Sequence, residues 1–315
     1  MSQQIYEEKS GRIRERFLEA KKKDPQAFER KMDLSWSIWM FGTESFEESL
    51  ARLSRNGLRF VELKGDHQTK ESGLPPKGIL RALEGFGMEV SGTCGMFGTE
   101  NDLSSPSAYS RQNAVDYIRR ELAVLEETGG RYLIVVPSAV GRPEAVDPYE
   151  RIRSAGSLAR CAGDFARSGI LAALEPIRSA EVSLVNSIDD ALSFLGSVGS
   201  ESIAHINADT YHMSLEEPHI GEAILKAGDR LANLHLADTN RDGLGRGMLD
   251  LDTVIMAAYL IGMNREGRFL TPEPLGPVTD PYQLSNMPCD TAVMDALVSD
   301  TVSYFRQRED YVRSL

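Results

Sequence analysis

Short apolar runs recur along the whole chain, and the stretches between them carry apolar residues at three- and four-residue spacing. The runs cover residues 33–40, 58–63, 88–94, 131–137, 171–175, 203–209, 232–238 and 268–273. Each is short and bounded by turn residues, which predicts buried strands, and the spaced segments between them predict amphipathic helices. FEESLARLSRNG places Phe46, Leu50 and Leu53 on one face and ends at Gly57. SRQNAVDYIRRELAVLEETGG is expected to start at a Ser110 cap and stop at Gly129–Gly130, with Val115, Ile118, Leu122 and Leu125 on one side. SIDDALSFLGSVG opens on Ser187 with acids in its first turn, where they complement the helix dipole. Eight strand–helix units predict an α/β fold, a (β/α)8 TIM barrel, over residues 32–315. Residues 1–31 fall outside that alternation. They are charged, helical in propensity and interrupted at Pro25, and predict an N-terminal helical extension.

Composition narrows the classes of function. A chain of 315 residues is long enough to close one barrel around a single core. The net charge of −12 argues against nucleic acid as partner, because phosphate binding is driven by clustered Lys and Arg. No apolar run approaches the roughly 20 residues that span a bilayer, so no membrane association is expected. Cys94, Cys161 and Cys289 form neither a CxxC pair nor a disulfide framework, and a reducing cytoplasm is the expected compartment. A homo-oligomer, with a hetero-oligomer as the alternative, is the expected assembly, and the extension is a candidate for subunit contact.

The longest irregular stretches follow the second, third, fourth and eighth strands and so share one mouth of the barrel, where such folds keep their chemistry. Four candidate metal ligands end four consecutive strands at that mouth: Glu175 in LAALE, Asp209 in IAHINAD, His235 in LANLHLAD and Glu273 in RFLTPE. Singly, each has a bland reading as a hydrogen-bonded core residue. Together they matter, because buried carboxylates need a partner, and a bound cation serves all of them. Three carboxylates and one imidazole suit Mn²⁺ first, with Mg²⁺ or Co²⁺ as alternatives. Around these, His67 and Cys94 are lesser candidates for the pocket, GLGRG at 243–247 reads as a turn beside it, and His205 and His219 read as structural.

The surroundings of those four residues carry a resemblance. DTYHMSLEE from Asp209, NLHLADTNR through His235, GRG at 245–247 and PEP at 272–274 resemble the motifs of the D-tagatose 3-epimerase family of ketose 3-epimerases, within the wider xylose-isomerase-like barrels. The resemblance covers about residues 33–310 and is most specific from 175 to 274. It implies that Glu175, Asp209, His235 and Glu273 bind the metal and that Glu175 and Glu273 are also the catalytic acid/base pair. It implies further that Glu181, His212 and Arg241 hold a small sugar or keto-sugar substrate. Two carboxylates of this kind move a proton from one face of a carbon beside a ketone to the other. The chain departs from the family at Arg178–Ser179, where an Asn-Arg is usual, and in PSAVGRPEAVDP, which has no aromatic before Tyr149. Such room keeps a second reading open, a metal-dependent lyase or dehydratase acting on a 3-keto-glycoside or an inosose.

Overall fold

A computed structural model describes residues 3–276 and 285–315. Eight parallel strands form one sheet: β1 (Asp33–Leu34), β2 (Phe60–Lys64), β3 (Glu89–Cys94), β4 (Tyr132–Val135), β5 (Leu171–Leu174), β6 (His205–Asp209), β7 (Leu231–Leu236) and β8 (Phe269–Pro272). Their order is β1-β8-β7-β6-β5-β4-β3-β2, every neighbouring pair parallel, with a register shift at Val61/Glu62 in β2–β3 and at Ile206/Asn207 in β6–β7. The seam between β1 and β2 is bridged by Ser37 opposite Glu62, with the Glu62 N–H donating to the Trp36 carbonyl. This is the (β/α)8 barrel that the alternation predicts.

Helices α1 (Gln3–Lys23), α2 (Phe46–Arg55), α3 (Pro76–Phe86), α4 (Ala108–Thr128), α5 (Glu150–Ala159), α6 (Ala162–Ser168), α7 (Ile188–Val198), α8 (Thr210–Glu216), α9 (Ile220–Ala227), α10 (Leu251–Leu260) and α11 (Thr291–Ser314) surround the sheet. Their ends follow local chemistry. Ser187 caps α7 in a reciprocal box with Asp190, and α4 stops at Gly129, whose φ of 81° favours a residue without Cβ. The cap of α4 is Ser107 rather than Ser110: its Oγ accepts the Ser110 N–H, so the helix starts earlier than the apolar spacing suggested. The first strand is also shorter than its apolar run. After Leu34 the chain crosses to β2 at Ser37 and coils into a 3₁₀ turn, Ile38–Phe41, which carries Trp39 over the mouth.

Residues ahead of β1 are helical as expected. Helix α1 buries Ile13 and Phe17, and Phe17 packs edge-on against Phe28 and against Tyr259 of α10. Ser10 donates to Asp250 across the same contact. Among the described residues no helix is long and apolar enough to cross a membrane. Residues 277–284, within the long stretch after β8, lie outside the described residues. The returning chain pairs Pro288 with Gly42, and the Thr43 N–H donates to the Met287 carbonyl.

Candidate active site

Parallel register sets the four candidate ligands at one height. Asp209 stands opposite His235 in the β6–β7 pair, and His235 opposite Thr271 in β7–β8. Glu175 and Glu273 extend the ladder one residue past β5 and β8, through N–H bonds to Val135 and Leu236 carbonyls. All four side chains are buried. Glu175, Asp209 and His235 bring ligand atoms within 4.8 Å of one another. His235 Nδ1 lies 3.5 Å from Glu175 Oε1 and 3.4 Å from Glu273 Oε2. Burial pushes the carboxyl of Asp209 up to about 7, helped by the charge of Glu273. Glu175 is raised for the same first reason. Burial acts upward on Glu273 too, but the facing His235, Arg241 and the Trp39 N–H override it and hold that carboxyl below its ordinary value.

One residue at the centre was absent from the sequence reading. Glu62 on β2 is fully buried, and His235 Nε2 donates to its carboxylate at 3.0 Å. Tyr132 Oη donates to Glu62 Oε2 at 2.7 Å and Asn233 Nδ2 to the same oxygen at 3.5 Å, so that carboxylate accepts from three side chains. Burial acts downward on the His235 imidazole, but the charges of Glu273 and Glu62 override it and push it well above its ordinary value. Nδ1 has no hydrogen-bond partner, and a cation there would take the place of its proton while Nε2 stays bonded to Glu62. The carboxylates of Glu175 and Glu273 face Nδ1 at 3.5 and 3.4 Å. A divalent cation fits this donor set, and the arrangement is the carboxylate–histidine support that orients metal-binding imidazoles. Below it runs a polar layer: Asn207 Nδ2 donates to Glu175 Oε1 at 2.8 Å, Asn233 Nδ2 to Asn207 Oδ1, and Thr271 Oγ1 to Asn233 Oδ1. Glu62→Gln is therefore expected to weaken cation affinity roughly 10–100-fold with the fold intact. Calorimetric titration of the metal-free protein with Mn²⁺, beside circular dichroism, measures this. An unchanged Kd would remove Glu62 from any orienting role.

A second grip holds Glu273. Trp39 Nε1–H donates to its Oε1 at 2.5 Å, and the Cys94 thiol lies 3.7 Å from the same oxygen. Burial keeps that thiol protonated, as does the charge of Glu273. Cys94 lines the pocket without thiolate character.

The structure brings together the residues assigned to substrate only in part. His212 and Arg241 line the same cavity as Glu175 and Glu273. His212 Nε2 is 3.4 Å from Asp209 Oδ2, and its buried Nδ1 has no hydrogen-bond partner among the described residues. Arg241 adopts φ of 61°, a left-handed backbone that a non-glycine residue reaches only when its surroundings insist. Here its N–H donates to the Asp238 carbonyl and its own carbonyl accepts the Leu275 N–H. The Asp238 carboxylate in turn accepts the N–H groups of Thr239, Gly245 and Leu249, drawing GLGRG into a compact turn. A Cβ at Gly247 would lie 2.1 Å from Asp238 Oδ1. Gly247→Ala should cost about 1–3 kcal/mol of stability, read as a fall in Tm, and an unchanged Tm would mean the turn yields freely. Glu181 meets arginines rather than the open cavity: it accepts from Arg178 Nε and lies 3.4 Å from Arg241 Nη1. Both guanidiniums lie over the ring of Tyr211. His67 is elsewhere. It pairs with Glu121 of α4 and the Leu74 carbonyl, beside separate hollows of 140 and 320 Å³. His219 caps α9, in keeping with a structural part.

The cavity lined by Glu175 and Glu273 has a volume of 710 Å³. The loops after β3, β4 and β5 form its wall; the Arg142 side chain bonds Asp102, Ser104 and Glu150, and its backbone bridges to Val182 in the loop after β5.

With this geometry in view, comparison with known proteins places the chain. Over 187 residues it is 27% identical to the L-ribulose 3-epimerase of Mesorhizobium japonicum, a match covering 59% of this chain and 62% of that enzyme. It is 29% identical over 184 residues to the 3-dehydro-D-guloside 4-epimerase of Escherichia coli, covering 55% and 68%. The chain thus spans less than two thirds of the first of these relatives. Among solved structures, one titled as L-ribulose 3-epimerase superposes with a TM-score of 0.78 at 21% identity, covering 90% of this chain and 96% of that one. That likeness concerns the fold. The family model described as xylose isomerase-like TIM barrel matches residues 50–268, more than half of the chain, and the protein belongs to that family.

Proposed function

We propose that this protein is a divalent-metal-dependent sugar epimerase that inverts a carbon beside a ketone, with ketose 3-epimerisation as its leading form. The observation that carries the reading is the facing of Glu175 and Glu273. They end β5 and β8, flank Asp209 and His235, and both line the cavity. One carboxylate takes the proton from the carbon beside the carbonyl, leaving an enediolate, and the other returns a proton to the opposite face. A divalent cation held by Glu175, Asp209, His235 and Glu273, with Mn²⁺ the proposed ion and Mg²⁺ or Co²⁺ the alternatives, would supply Lewis-acid stabilisation of the developing oxyanion. Arg241 and His212 donate to substrate oxygens, and Glu181 acts through Arg241. The epimerase names of both relatives support the reaction class. The free thiols of Cys94, Cys161 and Cys289 suit a cytoplasmic enzyme.

A second reading rests on the same proton abstraction followed by loss of a leaving group, a lyase or dehydratase outcome. The cavity of 710 Å³ and the aromatic-free loop after β4 favour it, since a leaving group needs room. One experiment separates the readings. The Mn²⁺-loaded protein is incubated in D₂O with a panel of ketoses and keto-glycosides, and products are identified by NMR. Deuterated epimers support epimerisation, and released aglycone or water supports elimination. Absence of exchange across the panel would sink both.

A further inference from the structure

The loop after β2 is tied to one face of α4, where Tyr117, Arg120 and Glu121 stand at three- and four-residue spacing. Tyr117 Oη donates to the Gly65 carbonyl, and Arg120 donates to the carbonyls of His67 and Gln68. Glu121, buried, accepts the His67 N–H at 2.8 Å. The remaining tie is of another kind. His67 Nδ1 lies 3.2 and 3.3 Å from the two Glu121 oxygens, and its Nε2 lies 3.1 Å from the Leu74 carbonyl. A carboxylate and a carbonyl only accept. A neutral imidazole carries one N–H and serves one of them, whereas the imidazolium serves both. The loop is shaped around this ring: Gly73 takes φ of 80°, and a Cβ there would lie 2.5 Å from His67 Nε2.

The charges around the ring agree with a cation. Glu44, Lys64 and Asp66 line the hollow on one side of it, and Lys70, Glu71, Arg120 and Glu127 line the hollow on the other. Acids outnumber bases there even before Glu121 is added. Glu44 is committed to Arg52 and Asp66 to Lys64, so Glu121 is the counter-charge in contact with the ring. Its hydrogen bond raises the imidazole above its ordinary value, against the downward pull of burial. What the ring holds bears on the mouth. Leu74 lines the smaller hollow together with Ile38 and Phe41, from the 3₁₀ turn that brings Trp39 to Glu273.

We propose that protonated His67 is the latch of a strap, residues 69–75, which is held shut against α4 at neutral and acid pH and opens as pH rises. The sign follows from the direction of the shift. A histidine raised above its ordinary value of about 6.5 contributes its full stability below that value and loses it as pH climbs through the raised one. On deprotonation Nδ1 keeps its hydrogen toward the carboxylate. Nε2 then turns a lone pair on the Leu74 carbonyl, and the strap lets go at that end while Arg120 still holds its root. The latch is independent of the reaction assigned to the mouth.

The test digests the full chain with trypsin, Mg²⁺ present, from about pH 6 to about pH 9, a range that brackets histidine titration. Cutting after Lys70, exposed in the strap, is followed by mass spectrometry. Each rate is divided by that of a free peptide of residues 66–76 at the same pH, which removes the protease's own pH dependence. The wild-type ratio should rise about tenfold or more across the range, the worth of a hydrogen bond from a charged donor. His67→Ala should be cut fast at every pH. Glu121→Gln should be cut slowly at every pH, because its amide donates to Nδ1 and a neutral ring keeps Nε2–H on the Leu74 carbonyl. A merely structural role would make that variant the more easily cut. A flat wild-type ratio overturns the latch, and so does a His67→Ala ratio that still climbs with pH. Cutting of Glu121→Gln that climbs as steeply as the wild type, or exceeds it at neutral pH, overturns it as well.

Discussion

Glu175→Gln and Glu273→Gln should each lower kcat by about 10²–10⁴-fold, the range that a positioned proton-transfer group contributes, while the barrel stays folded. Glutamine keeps the shape of each side chain and much of its hydrogen bonding. Asn207 Nδ2 still finds an oxygen at position 175, and the Trp39 N–H still finds one at 273. What disappears is the group that carries the proton. Because both residues are also candidate ligands, kinetics are read at saturating Mn²⁺, with bound metal measured on the same samples. Either variant retaining more than about a tenth of wild-type turnover when fully metallated would remove that residue from the acid/base pair.

Arg241→Ala and His212→Ala should cut kcat/KM by roughly 10- to 150-fold, equivalent to about 1.5–3 kcal/mol for a lost charge-assisted hydrogen bond. Their cation affinity should change little. Arg241 reaches the cavity from a turn beyond β7 that makes no use of the candidate ligands, since Asp238 and Leu275 hold its backbone. His212 stands nearer, 3.4 Å from Asp209, so it is the stricter test. Parallel Mn²⁺ titration and steady-state kinetics decide it. Cation affinity falling in step with activity would assign these side chains to the metal site, and unaltered activity would place the substrate elsewhere.

The four strand-end candidates were legible because two local signals coincide there, an apolar run that must be a buried strand and a polar residue that ends it. Glu62 carries only half of that signal. In LRFVEL a lone acid near a strand end reads as an edge residue, and nothing nearby announces that His235, far along the chain, is its partner. Asn207, Asn233, Tyr132 and Thr271 escaped for the same reason: which face of a barrel strand points inward is set by closure of the whole sheet. The early end of β1 is likewise a tertiary result, fixed by the bridge from Ser37 to Glu62. His67 shows the converse. It follows a strand as a pocket residue should, and a carboxylate on α4 draws it aside.

The seam of the barrel has a consequence for how the chain is made. Glu309 on α11 accepts the Met32 N–H at 2.8 Å and the Tyr259 hydroxyl at 3.0 Å, and β1 pairs with β8. The Met32–Glu309 bond and the β1–β8 pairing join residues more than two hundred positions apart, so the entropy of closing that loop is met late. During synthesis the early strands must wait, with sheet edges unpaired, until the residues around Glu309 have left the ribosome. Nascent chains halted after α10 should therefore depend on chaperones far more than the finished chain does.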